Sequence, residues 1–157
     1  SQSAMRVRNN QSTSNTWDGY SPAEAHLVFD AQLTEFEKIE IDVFERVYTI
    51  GSVRRQNQYS VTNKDGDYTI KQGEQLAYRY EVLTAIDAGA FGTVIRCKDM
   101  KDKNQRIVAV KISKNKKFDV DNANVEIKIL KKLMKGIDGD NEGRDCIVDM
   151  IDSFKFR

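Results

Sequence analysis

Between residues 80 and 112 the chain has three successive segments with the composition of β-strands. They cover residues 80–86, 93–98 and 106–112, and each is rich in β-branched and aromatic side chains. A glycine-containing loop joins the first two, and the polar run Lys101-Asp102-Lys103-Asn104 joins the last two. Connections this short join antiparallel neighbours, so this part of the chain predicts an antiparallel sheet.

A helix is predicted after the three strands, over residues 121–135. Its apolar residues recur at helical spacing, and Gly136 follows in the position where helices commonly end. The turn-rich run GIDGDNEGRD then leads to a final predicted strand over residues 147–156. Together these elements predict an α+β fold.

The upstream half gives weaker signals. Residues 1–20 are rich in Ser, Asn, Gln and Arg with almost no apolar periodicity, which predicts a disordered tail. Ser21-Pro22 predicts the start of a helix over residues 23–33. A short buried strand is expected over 43–50, and Asp65-Gly66 predicts a hairpin that pairs 59–62 with 68–70.

Composition excludes several classes of function. The 39% hydrophobic and 31% charged residues are typical of a globular protein, and no apolar stretch reaches membrane-spanning length. Lys plus Arg number 25 against 24 Asp plus Glu, so no overall field favours nucleic acid or an anionic membrane as partner. Two separated cysteines and one histidine do not form a zinc site. We therefore expect an intracellular protein, cytoplasmic or nuclear.

The loop between the first two strands, residues 86–94, contains two glycines. Taken alone, it is as compatible with a plain tight hairpin as with a phosphate-binding loop. A dinucleotide-binding turn would lead from its last glycine into a helix. Here Gly92 is followed by Thr-Val-Ile, which are strand formers, so that class is excluded.

Lys111 ends the third strand, and its position is unusual for a lysine. Period-2 alternation places it with Ile107 and the small Ala109 on one face of the strand. An ammonium group in such a strand is costly to bury unless it meets an anion. Glu126 on the predicted helix lies on the stripe that should face the sheet, so a Lys111–Glu126 ion pair is predicted. The alternative is an unpaired glutamate at a helix edge.

In order and spacing, the glycine loop, Val108-Ala109-Val110-Lys111 and Glu126 resemble the first part of the protein-kinase signature. That resemblance implies an ATP-binding N-terminal lobe, with Glu126 as the helix partner of the lysine and Val148 lining the back of the pocket. The implied ATP-binding residues are Ile86, Asp87, Ala88, Gly89, Ala90, Phe91, Gly92, Thr93, Val94, Ala109 and Lys111. In this interpretation backbone N–H groups of the loop hold phosphate, Val94 and Ala109 sandwich adenine, and Lys111 contacts the α- and β-phosphates.

Further runs narrow the resemblance to the dual-specificity tyrosine-phosphorylation-regulated kinases, the DYRK family. Lys111-Ile-Ser-Lys-Asn-Lys-Lys and the segment from Ile147 to Arg157 resemble it within the lobe. Asp67-Tyr-Thr-Ile-Lys-Gln-Gly-Glu resembles its homology box, and the segments from Ser21 and Leu33 resemble the accessory region of its class II branch. The implied organisation is an accessory region and homology box over 21–77 and a partial kinase domain over 78–157.

Two departures from the family pattern matter. Asp87 stands where the first loop glycine is expected, and its carboxylate would repel phosphate. The resemblance also implies a catalytic loop, Mg²⁺ ligands and an activation loop after Arg157, and none of these is within this sequence. We therefore expect the chain alone to be inactive and its parent to phosphorylate protein substrates. The alternatives are a pseudokinase or scaffold lobe and a binding module unrelated to phosphate.

Overall fold

The computed structural model describes residues 2–6, 17–57, 61–136 and 146–157 of the chain. Within them a curved sheet is accompanied by three helices, which confirms the predicted α+β fold. In chain order the elements are β1 (Gln2–Arg6), α1 (Pro22–Phe29), α2 (Glu35–Ile41), β2 (Gln75–Leu76), β3 (Tyr80–Gly89), β4 (Gly92–Asp99), β5 (Ile107–Ser113), α3 (Lys117–Gly136) and β6 (Asp149–Phe154).

The three strands predicted from composition form the middle of the sheet. The strand order is β2-β3-β4-β5-β1-β6, and every described pairing between two of these strands is antiparallel. Strands β4 and β5 alternate between buried and more exposed residues, as period-2 geometry requires. One face of the sheet therefore packs into the core, and the other is left for a site.

Strand β1 lies within the tail predicted to be disordered over residues 1–20 and contradicts that prediction for residues 2–6, while residues 7–16 lie outside the described residues. Gln2–Arg6 lies between β5 and β6 and pairs with both. Strand pairing uses backbone N–H and C=O groups that almost any sequence supplies, so the polar composition of this segment gave no sign of it. Trp17 is also ordered, since its indole N–H donates to the Met100 carbonyl at 2.7 Å.

The upstream region folds into two short helices rather than one helix and a strand. A capping box at Ser21 starts α1, which ends at Phe29, and a second capping box at Thr34 starts α2, which the sequence analysis did not predict. The strand expected over 43–50 is absent from the described residues. Val47 instead forms an isolated antiparallel β-bridge with Tyr20, and a single bridge does not make a strand.

Among the described residues, the hairpin predicted around Asp65-Gly66 shows one β-bridge, between Thr62 and Tyr68. Its turn is held by the Asn63 side chain, whose oxygen accepts from the N–H groups of Asp65 and Asp67 at 2.9 Å. Residues 59 and 60 of the predicted pairing lie outside the described residues, as does the loop over 137–145.

Two apolar clusters hold these pieces together. One joins the inner face of β3, β4 and β5 to upstream residues such as Tyr68 and to Phe156 after β6. The other joins α1 and α2 to the segment around Tyr78. Because Phe44 packs against both clusters, the upstream region forms the outer cover of the sheet.

Buried ion pairs link segments of the upstream region to one another and to the end of the chain after β6. The Arg55 guanidinium donates to both oxygens of Glu74 at 2.7 and 2.9 Å, and each of these side chains is 1% exposed. Arg157 donates to both oxygens of Glu40 at 2.7 and 2.9 Å. Burial works to lower the pKa of Arg157, but its hydrogen bonds to Glu40 outweigh that effect and raise the pKa. Both arginines are therefore fully charged structural links.

Helix α3 begins four residues earlier than predicted and includes Gly136, one residue beyond the predicted end. Only Ile127 on it is buried, while Val125, Ile129 and Leu133 are 55%, 52% and 41% exposed. Helix α3 thus packs against the protein along a narrow stripe around Ile127, and the other three apolar side chains remain exposed to solvent. Among the described residues, no helix combines the length and the apolarity that crossing a bilayer requires.

Candidate functional site

The glycine loop is the tip of the β3–β4 hairpin. Gly89 pairs with Gly92, and Ala90 and Phe91 form the turn between them. Phe91 is 69% exposed, so its ring lies at the outer tip of the loop. The loop therefore presents backbone rather than packed side chains.

The two glycines of the loop differ in what they require. Gly92 has φ of +132°, and a Cβ built on it would lie 2.1 Å from the Ile112 carbonyl oxygen. No larger residue fits there without moving β5. A Cβ on Gly89 would meet nothing within 4 Å. Gly92 is thus needed by the fold itself, while Gly89 leaves open space at the tip of the loop.

A row of paired residues defines the free face of the sheet. Asp87 is opposite Val94 in the β3–β4 pairing, and Val94 is opposite Lys111 in the β4–β5 pairing. Directly opposite residues on antiparallel strands project to the same face, so these three side chains share it. Ala109, two residues before Lys111, lies on that face as well. Thr93 belongs to the other face and is 5% exposed, so only its backbone can serve a site.

Lys111 is held by Glu126 of α3. The ammonium nitrogen Nζ lies 2.9 Å from Oε1 and 2.6 Å from Oε2 of the carboxylate. The side chains are 27% and 38% exposed, so the pair stands at a surface rather than in the core. The pair therefore fixes the direction of the ammonium group while leaving it accessible to a ligand.

Two further residues complete the picture of this face. Val148 is 48% exposed and precedes the first residue of β6, so it lies outside the paired part of that strand. Arg96, opposite Ala109, is exposed on the same face as Val94 and was not singled out in the sequence. Because side chains two residues apart lie on the same face of a strand, Val94 predicts that Arg96 lies on this face.

The core side of these strands carries no reactive thiol. Cys97 is fully buried on β4, and burial, with a smaller effect from the charge of Glu74, raises the pKa of its thiol to about 12. A thiol with so high a pKa is protonated at neutral pH and is a poor nucleophile. What the site offers instead is an oriented ammonium group, a glycine loop and a small apolar surface at Val94 and Ala109.

Several known proteins similar to this chain are kinases of one family. The chain is 36% identical over 147 residues to the dual specificity tyrosine-phosphorylation-regulated kinase mbk-2 of Caenorhabditis elegans, an alignment that covers 88% of the chain. It is 38% identical over 143 residues to the human dual specificity tyrosine-phosphorylation-regulated kinase 4, and 35% identical over 144 residues to the DYRK-family kinase pom1 of Schizosaccharomyces pombe. The chain belongs to the DYRK family. It carries the N-terminal lobe of such a kinase.

The chain is much shorter than these relatives. The chain spans 17% of the length of the C. elegans kinase, 26% of the human kinase and 13% of pom1. No family model matches the chain. Membership of the DYRK family is thus established for this lobe, which is a small part of a whole kinase.

Proposed function

We propose that the free face of β3, β4 and β5 binds ATP, and that the protein to which this lobe belongs is a dual-specificity protein kinase. The observation that carries the proposal is the Lys111–Glu126 pair, with Nζ–Oε distances of 2.6 and 2.9 Å, on the face beside the glycine loop. An oriented ammonium group beside the backbone of a glycine-containing turn suits the phosphates of a nucleotide.

The residues present fit an adenine nucleotide. Val94 and Ala109 are apolar residues on neighbouring strands and share the face that carries Lys111, which supports their assignment to the adenine ring. The open space at Gly89 supports close approach of phosphate to the loop backbone. Lys111 would contact the α- and β-phosphates, Val148 would line the back of the pocket, and residues 86–93 would form the cover.

Mg²⁺ is expected together with ATP, and it neutralises phosphate charge when bound. Among the described residues no group of three or more His, Cys, Asp or Glu could hold a metal ion. By the family resemblance, its protein ligands belong to the catalytic loop and the D-F-G segment of a whole kinase. In this lobe, the chain's own residues orient the phosphates and exclude water from the adenine side.

The reaction proposed for the whole protein moves the γ-phosphoryl group of ATP to a Ser or Thr hydroxyl of a protein substrate. The bond from γ-phosphorus to the β–γ bridging oxygen breaks, a bond to the hydroxyl oxygen forms, and the hydroxyl loses its proton to a base. Tyrosine autophosphorylation, assisted by the upstream region over 21–77, is proposed from the family resemblance, as is the class II assignment. Residues 78–157 would be the partial kinase domain.

A second function is favoured by two specific observations. Asp87 replaces the first loop glycine, and Val125, Ile129 and Leu133 leave an apolar helix surface exposed. A pseudokinase or scaffold lobe would use such a surface for a protein partner and would tolerate an acidic loop.

The two functions are separated by expressing the longer protein and assaying its phosphorylation. The kinase proposal expects a catalytic-loop aspartate and a D-F-G segment after Arg157, and incorporation of phosphate from labelled ATP. Lys111→Met should abolish incorporation, while Lys128→Met, at an exposed position on α3, should leave it unchanged. Phosphate incorporation that survives Lys111→Met would refute the assignment of this site. A longer protein without those aspartates and without incorporation would support the scaffold.

A further inference from the structure

Asp87 stands at the first glycine position of the loop, and strand pairing shows which face carries its side chain. Ala85 is opposite Ile95 and Asp87 is opposite Val94, so Ile86 is an extra residue on β3. A bulge of this kind redirects the side chains that follow it. Ile95 is fully buried, whereas Val94 is on the free face, so the bulge moves Asp87 from the core side to the side of the proposed nucleotide.

The distance from Asp87 to Lys111 follows from the same pairing. Val94 is opposite both residues, so Asp87, Val94 and Lys111 lie in one row across three strands. Neighbouring strands are about 4.8 Å apart, which places the backbones of Asp87 and Lys111 about 10 Å from each other. This separation is comparable to the Debye length, which is about 10 Å at 0.1 M salt, so the Asp87 carboxylate acts on a phosphate group that contacts Lys111.

The charge of Asp87 is not cancelled by its surroundings. Among the described residues its exposed carboxylate has no hydrogen-bond or ion-pair partner. The one ammonium group in the row already contacts Glu126. Arg96 is on the same face but two residues farther from the glycine turn along β4, on the side assigned to adenine. Phosphates at the loop would thus meet an uncompensated negative charge.

The backbone at Asp87 does not require glycine. Asp87 is within β3 and is not among the described residues with positive φ. An aspartate is therefore accommodated there without strain, and its difference from glycine is its charge and its side chain rather than its conformation.

We propose that Asp87 is a specificity-determining residue that selects against metal-free polyphosphates. The site then binds ATP with high affinity only when a divalent cation has neutralised part of the phosphate charge. Its affinity for uncharged adenosine is the same with and without the cation. This inference rests on the proposed nucleotide site, because the carboxylate acts only on a ligand bound at Lys111.

Isothermal titration calorimetry on the 157-residue chain tests the proposal with three ligands: adenosine, ATP in EDTA and ATP with excess Mg²⁺. In Asp87→Asn the affinity for ATP in EDTA should rise about threefold to tenfold, as expected for removing one nearby charge in a water-exposed site. The affinity for ATP with Mg²⁺ should rise less than about twofold, and that for adenosine should not change. Asp18→Asn is the matched control, since Asp18 is exposed and lies beside Trp17, which contacts the opposite end of the β4–β5 hairpin.

Each other result overturns the inference in a recognisable way. Equal changes for ATP and adenosine would show an effect of shape, and no change in Asp87→Asn would show that the charge does not reach the ligand. A gain in Asp87→Gly that is missing in Asp87→Asn would show that backbone freedom matters instead. Asp87→Ser supplies a second uncharged side chain if Asp87→Asn does not fold. If the wild-type chain binds neither adenosine nor ATP in any condition, the proposed nucleotide site itself fails, and this inference fails with it.

Discussion

The Arg55–Glu74 and Lys111–Glu126 ion pairs have similar geometry and very different surroundings. Arg55 and Glu74 are each 1% exposed, and their nitrogen–oxygen distance is 2.7 Å. Lys111 and Glu126 are 27% and 38% exposed at 2.6 Å. The two ion pairs therefore differ in burial rather than in their nitrogen–oxygen distance.

The difference teaches what each pair can do. A buried pair has lost its water, so removing one partner leaves an uncompensated charge in the core. A pair at the surface keeps part of its hydration and contributes little to stability. The Arg55–Glu74 pair is thus suited to holding the upstream region together, and the Lys111–Glu126 pair is suited to meeting a ligand.

The largest effect is expected from Arg55→Met. Loss of the guanidinium leaves Glu74 charged and buried, which should lower the free energy of unfolding by about 3–5 kcal/mol. Urea denaturation followed by circular dichroism measures this. Arg46→Met, at an exposed position, is the control and should change stability by less than about 0.5 kcal/mol. Similar small losses in both variants would break the comparison.

Alkaline pH should have the next largest effect, because three tyrosines lie in the two apolar clusters that join the upstream region to the sheet. Burial raises the pKa of Tyr78, with a further contribution from the charge of Glu40, and burial also raises the pKa of Tyr68 and Tyr80. The folded state therefore favours the neutral phenols. Their contribution is complete below about pH 10, the ordinary value for tyrosine, and is lost as pH rises from there toward the folded-state values. Each tyrosine should cost about 1.4 kcal/mol per pH unit in that range.

Urea titrations at pH 8 and pH 10.5 measure the alkaline loss. Tyr80→Phe sharpens the test, because the Tyr80 hydroxyl is fully buried and has no hydrogen-bond partner among the described residues. Its removal should leave stability at pH 8 nearly unchanged and reduce the alkaline loss. Equal stability of the wild type at both pH values would contradict the assignment of these phenols to the folded core.

Within the glycine loop, the two glycines should respond unequally. Gly92→Ala places a Cβ against the Ile112 carbonyl at a positive φ, and it should cost about 2–3 kcal/mol. Gly89→Ala meets open space and should cost less than about 1 kcal/mol. Thermal unfolding of the two variants measures the difference, and equal losses would show that the loop is not held at Gly92.

The smallest change in stability is expected from Lys111→Met. The exposed pair should contribute less than about 1 kcal/mol, so the variant should unfold at nearly the wild-type urea concentration. A loss comparable to that of Arg55→Met would mean that both pairs are structural and would remove the contrast between the two regions.

Much of the sheet and of the site could be predicted because strand composition and period-2 spacing are local signals. They gave β3, β4, β5 and the face of Lys111. The buried contacts of Arg55 and Arg157 could not be predicted, since their partners are 19 and 117 residues away and no periodicity marks them. Strand β1 was missed because backbone pairing leaves no trace in a polar sequence. The bulge at Ile86, which sets the direction of Asp87, is likewise a property of the pairing.

The most direct test of the central claim is an NMR titration of the isotope-labelled chain with ATP and Mg²⁺. The account predicts saturable amide shifts that cluster at residues 86–94 and 109–111 and disappear in Lys111→Met. Shifts that instead cluster on α1 and α2, or that persist unchanged in Lys111→Met, would contradict a nucleotide site on the free face of the sheet.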